Sequence, residues 1–191
     1  MKIIVSGEAF LEPQTDFDLK NYEISPKTYL DRASSLALAG CALALQNAGL
    51  RGPFDEDFGI ALGTQFGAVE TMRTFEGTLA EKGSKGVSPL IFSHSYFNSP
   101  VSLCAIEWGL RGWHGTFCGE DALQKAVEAA RDAIILGHAT RMLCGGVEAI
   151  SVAQSWSETE NPREWSRFYV LERAEGRTGR DVEDLARELR F

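Results

Sequence analysis

Short apolar runs alternate along this chain with longer segments whose apolar residues recur at helical spacing, and glycine closes most of them. Ile3 to Ser6 is a β-branched run stopped by Gly7, which predicts a buried first strand. The polar stretch Glu12 to Glu23 predicts a loop. Ser25-Pro26 is a cap-then-proline signal, and Tyr29 to Asn47, rich in Ala and Leu and stopped by Gly49, predicts a helix. Its apolar residues run nearly all the way round, so burial on more than one side is expected. Phe58 to Leu62, closed by Gly63, predicts a second strand, and Gly67 opens a polar helix that runs to Lys82. Gly83 to Ser88 reads as a loop that Pro89 ends. Ser99-Pro100 repeats the cap signal before a helix from Val101 to Trp108, stopped by Gly109. Trp113 to Cys118 is a short strand. Gly119-Glu120-Asp121 then begins the strongest helix, Ala122 to Leu136, which Gly137 ends. Arg141 to Cys144 is a strand running into Gly145-Gly146. Ser155 to Glu164 is a polar loop, Arg167 to Glu172 one more strand, and Asp181 caps a short charged helix to Arg190. Strands alternating with helices predict an α/β layered fold with a largely parallel sheet.

Composition narrows this. At 191 residues the chain is read as a single domain large enough to bury a core without disulfides or metals. The balance of 19 Lys+Arg against 27 Asp+Glu gives a net charge of −8, which disfavours a nucleic-acid partner. The opening MKIIVSGEAF is no signal peptide, and no stretch approaches the roughly 18 apolar residues of a membrane span. Cys41, Cys104, Cys118 and Cys144 lie inside apolar segments without CxxC spacing, so reduced thiols in a cytoplasmic protein are expected. With three His, widely spaced, neither a metal site nor a cofactor is expected.

The chemistry concentrates at the junction GTFCGEDALQKAVEAA, Gly115 to Ala130. A helix N-terminus carries about half a positive charge and several unpaired N–H groups, a setting that depresses a nucleophile's pKa or holds an oxyanion. Here the tip carries Glu120 and Asp121, with Cys118 just before the turn. Acidic residues in a first turn are also ordinary complements of the helix dipole. Cys118 is either a displaced nucleophile or a small buried residue like the other three cysteines. Gly63 to Gly67 (GTQFG) and Gly145-Gly146 indicate tight turns or close backbone contact, without the lysine of a phosphate-cradling loop. Phe92, Tyr96, Phe97, Trp108 and Trp113 either line a tunnel or serve core and interface packing, the simpler explanation.

Several segments, in order, resemble the N-terminal half of the β-ketoacyl synthases, the thiolase-fold condensing enzymes. They are LDRASSLALAGCALALQNAGL (Leu30–Leu50), FGIALGTQFGAVETMRTF (Phe58–Phe75), GSKGVSPLIFSHSYFNSPVS (Gly83–Ser102), GLRG (Gly109–Gly112), MLCGGVEAIS (Met142–Ser151) and RFYVLERAEGRTGRDVEDLAREL (Arg167–Leu189). The resemblance implies a layered α/β sandwich, the N-terminal half only of a thiolase-like fold, with a mixed, mainly parallel sheet and a buried central helix. In the complete five-layer fold that helix would lie between two sheets, which fits the apolar residues Ala122, Leu123, Ala126, Val127, Ala129, Ala130, Ile134 and Ile135 on more than one face.

Active synthases of this family place a nucleophilic cysteine at the helix start. Counting back from Gly145-Gly146 puts that slot at Glu120, and counting forward from Gly109–Gly112 puts it at Asp121. Neither count reaches Cys118. GED in this slot resembles the chain-length-factor-like branch, partner subunits that lack the cysteine. The family's general acid/base histidines and a lysine come from a C-terminal half not found in this chain, and His94, His114 and His138 lie in the wrong places to replace them. No catalytic residue is therefore assigned. Phe66, His94, Phe97 and Asn98 are the residues expected to touch a ligand, with His94 near the cavity entrance. The resemblance implies a non-catalytic subunit that pairs with a catalytic ketosynthase, engages acyl carrier protein, and forms a homo- or hetero-oligomer in fatty-acid, polyene or polyketide assembly. Two alternatives stand beside it: an acyltransferase using Cys118 with groups from a partner chain, and a scaffold with no acyl ligand.

Overall fold

The computed structural model describes residues 1–12, 18–22, 24–54, 57–149 and 164–189. The elements in chain order are β1 (Ile3–Leu11), a 3-10 turn (Leu19–Tyr22), α1 (Arg32–Asn47), β2 (Phe58–Thr64), α2 (Val69–Lys82), α3 (Pro89–Ser93), α4 (Ser99–Trp108), β3 (His114–Cys118), α5 (Ala122–Ile135), β4 (Arg141–Ala149), β5 (Glu164–Arg173), β6 (Arg180–Asp181) and α6 (Val182–Glu188). The expected loop from Ser155 falls outside the described residues, as do most of the stretch after Glu12 and Arg190 at the end of the last helix.

One sheet carries the fold, in the order β3-β2-β4-β5-β1-β6. β2 is parallel to both β3 and β4, β5 is antiparallel to β4 and to β1, and β6 is antiparallel to β1. Four of the six strands thus share one direction, giving the expected mixed and mainly parallel sheet. Side chains alternate between two cores, one on each face. Phe58, Ile60, Leu62, Leu143, Val147, Phe168 and Val170 meet α1 and α4 on one side. Ala61, Met142, Cys144, Tyr169 and Leu171 meet α5 and α6 on the other. Because helices cover both faces, β2 is buried along its whole length, which is why it reads as a continuous apolar run.

Three sequence expectations change. Gly7 does not stop β1, which continues to Leu11 along β5. A register shift between Val5 and Gly7 turns Gly7 toward α1, where a β-carbon would lie 2.3 Å from the Ala44 carbonyl oxygen. Gly145 and Gly146 likewise sit inside β4, where neighbouring residues come too close for a side chain. Ser25-Pro26 does not open a helix: the Ser25 N–H donates to Glu107 at 2.8 Å, and α1 starts at Arg32. Its N-cap is Asp31, which accepts from the Ser34 N–H at 2.8 Å.

α5 lays Ala122, Ala126, Val127, Ala130, Ala133 and Ile134 against the sheet. Leu123 and Ala129 are half-buried, while Ile135 and Leu136 are 51% and 68% exposed.

Candidate functional site

The β3–α5 junction lies at the C-terminal ends of the parallel strands β2 and β4, the edge at which α/β sheets gather their sites. β3 ends at Cys118, paired with Thr64 of β2. Gly119 then turns the chain with φ of 122°, and Asp121 takes the N-cap position of α5. Glycine is required here because a side chain at that φ is strained. α5 comes this close to β2 because Gly63 has no side chain: a β-carbon there would lie 2.2 Å from the Ala122 carbonyl atoms.

Beneath this turn is a cavity of about 80 Å³, lined among the described residues by Gly63, Thr64, Gln65, Phe66, Gly119, Glu120, Ala122, Leu123, Glu148 and Trp165. Glu120 is exposed at its mouth. Asp121 turns away to pair with Lys125 at 2.8 Å, and that hydrogen bond holds its carboxyl below the usual range.

Glu148 is the member that sequence reasoning missed. It is buried at the end of β4, and its carboxylate accepts from the Gln65 N–H, from the Phe66 N–H at 3.3 Å and from the Thr64 hydroxyl at 3.3 Å. Thr64 Oγ1 in turn accepts from the Gly67 N–H at 2.8 Å. One carboxyl therefore fixes the loop from Thr64 to Gly67 that forms a cavity wall. Burial pushes its pKa up to about 7, and the three donors offset only part of that rise. The signal available in the sequence was a lone Glu between Val147 and Ala149 in an apolar strand, a position that demands partners.

The remaining candidates lie on the loop after β2, on α3 and α4, and at the far ends of β3 and α5. Phe66 lines the cavity, with its N–H on Glu148. His94 ends α3 and packs edge-on against Tyr29, ring centroids 5.3 Å apart. Among the described residues its buried Nδ1 has no hydrogen-bond partner. Phe97 lies against Gly67, and Asn98 takes the N-cap position of α4 without a side-chain cap bond. His114 shares a hydrogen bond of 2.6 Å with the Gly112 carbonyl, and His138 is exposed beyond the far end of α5. The described cavity lining therefore holds two carboxyls and neither a thiol nor an imidazole.

Among the described residues no group of three or more His, Cys, Asp or Glu converges to hold a metal, and no helix is long and apolar enough to cross a membrane.

Cys118 is exposed, whereas Cys41, Cys104 and Cys144 are buried. Burial raises the Cys41 and Cys144 thiols well above their usual range. Iodoacetamide on the native protein is expected to label Cys118 alone, and all four thiols in urea. Peptide mass mapping reads this, and native labelling of Cys41, Cys104 or Cys144 would contradict the packing.

Residues 2–167 match the family described as "Beta-ketoacyl synthase, N-terminal domain". The chain is 30% identical over 154 residues to 3-oxoacyl-(acyl-carrier-protein) synthase 2 of Rhizobium meliloti (strain 1021), covering 72% of this chain and 36% of that protein. It thus spans about a third of that relative's length. Its fold is similar to that of the ishigamide ketosynthase/chain length factor, with a TM-score of 0.74 at 20% identity, over 92% of this chain and 63% of that one. It is also similar to a structure of the ketosynthase ApeO in complex with its chain length factor ApeC, from Xenorhabdus doucetiae. There the TM-score is 0.63 at 17% identity, over 91% of this chain and 79% of that one.

Proposed function

The chain belongs to the β-ketoacyl synthase family by its match to the N-terminal domain, and from that premise we propose that it is a chain-length-factor-like subunit. In this reading residues 1–191 form one domain that does not itself condense acyl groups and that pairs with a catalytic ketosynthase. The observation that carries it is the cavity at the tip of α5, whose described lining offers carboxyls where acyl transfer needs a thiolate and a proton-transfer partner. Ile135 and Leu136, which are 51% and 68% exposed at the end of α5, offer apolar surface to such a partner. The names of its relatives point to acyl carrier protein as the donor of the growing chain and to fatty-acid or polyketide assembly as the setting.

The purified chain is expected to give no condensation product from malonyl- and acyl-carrier protein, and to change product length or rate when added to its cognate ketosynthase. Turnover by the chain alone would overturn the proposal. The exposed Cys118 thiol favours one second reading, an acyltransferase that uses Cys118 with groups from a partner. Acylation of Cys118 by an acyl thioester, followed by mass spectrometry during turnover of the mixture, decides between the two.

A further inference from the structure

We propose that Trp165 is the residue that closes the cavity under α5 to an acyl chain. The inference rests on the reading above, in which this chain does not carry the growing acyl group itself. Trp165 stands on β5 opposite Glu148, and its ring reaches across β4 toward β2. A β-carbon at Gly146 would lie 2.8 Å from Trp165 Cη2, 3.1 Å from Cζ3 and 3.2 Å from the Gly63 carbonyl oxygen. The indole therefore occupies the space above Gly146, beside Gly63, at the strand ends that face the tip of α5. What remains is about 80 Å³, below the roughly 150 Å³ that admits a benzene-sized guest. Of the other walls, Phe66, Ala122 and Leu123 are apolar and Gly63 is bare backbone, beside the polar Thr64, Gln65, Glu120 and Glu148.

The packing separates a plug from an ordinary core residue. Trp165 is half-buried and belongs to neither hydrophobic core, whereas its strand neighbours Phe168 and Leu171 are fully buried. A large aromatic placed over a cavity, yet outside the core, fills volume that the fold does not need filled.

The test is calorimetric titration of the whole chain with the N-acetylcysteamine thioester of hexanoic acid. Wild-type protein is expected to show no binding. Trp165→Ala is expected to bind at least tenfold more tightly than the wild-type detection limit, and indole, which refills the gap, is expected to compete. Trp165→Leu keeps an apolar side chain over Gly146 and carries the titration if the Ala variant does not fold. Wild-type binding as tight as that of the variants, or no binding by either variant, would overturn the proposal. Because it is read on the chain without a partner, the titration stands or falls separately from the condensation assay above.

Discussion

Gly63→Ala is expected to lower stability by about 3 kcal/mol, the upper end for inserting a methyl group into a packed interior. At this chain length that corresponds to a melting temperature roughly 6–12 °C lower. The reason is geometric. The new β-carbon would stand 2.2 Å from the carbonyl carbon and oxygen of Ala122 and 2.6 Å from the Leu123 nitrogen. All three are backbone atoms of the first turn of α5, so no side chain can rotate aside. The helix must lift from β2, which carries Glu120 and the cavity mouth with it. Gly77, in the middle of α2, has open space around its β-carbon position and no positive φ. Gly77→Ala is therefore expected to stabilise the protein by about 0.5–1 kcal/mol through helix propensity and a less flexible unfolded chain. Urea titrations of both variants test the contrast. Equal effects would mean that α5 does not depend on its approach to Gly63.

Other glycines illustrate how far the elements were legible along the chain. A glycine after an apolar run signals either a turn or a place where another backbone comes close, and local pattern does not separate these. Gly109 and Gly137 are true stops, with φ of 65° and 78° that favour glycine. Gly7, Gly145 and Gly146 look alike in sequence but lie within strands, since what crowds them arrives from elements far away in the chain. Ser25-Pro26 failed for a related reason. Its serine is claimed by Glu107, whose carboxylate also takes Lys27, and a partner 82 residues away outweighs a local cap signal. Strands buried on both faces were legible because continuous burial needs only composition.

The site was legible where chemistry and local order coincide. The turn Gly119-Glu120-Asp121 could be read directly, because a helix tip is a local structure. The cavity could not, because its walls come from β2, β4, β5 and α5. Phe66 was found and Trp165 was not, although both line it. Trp165 lies just before the strand expected from Arg167, and no local pattern says that its ring covers Gly146 of the neighbouring strand. His94, Phe97 and Asn98 cluster in sequence with Ser99-Pro100, and α3 and the start of α4 set His94 against Tyr29 and Phe97 against Gly67, next to the loop that walls the cavity.

Glu148 yields the second large effect, a stability that falls as pH rises. Its carboxyl titrates near 7 in the folded protein, against an ordinary value of 4.5, because burial favours the neutral form. A folded-state pKa above the unfolded one means that the folded protein holds the proton more tightly. The resulting stabilisation is complete below pH 4.5 and is lost as pH rises through 7. Between pH 5 and pH 8 the expected loss is roughly 2–3 kcal/mol, since each pKa unit is worth about 1.4 kcal/mol. The other shifted carboxyls do not mask this window. Glu107 is partly buried and Glu172 buried, but hydrogen bonds from Lys27 and Ser25, and from Arg177 and Arg141, outweigh that burial and hold both below the usual range. Their contributions are present above their unfolded pKa of 4.5 and decline only as pH falls further. Glu148→Gln removes the titrating group and retains an oxygen for the loop N–H groups, so its urea midpoint should be nearly flat from pH 5 to pH 8 while that of the wild type declines. An unchanged slope in the variant would assign the pH dependence elsewhere. The same loop, Thr64 to Gly67, walls the cavity, so a carboxyl caught between burial and its three donors ties the stability of this fold to the shape of its candidate site.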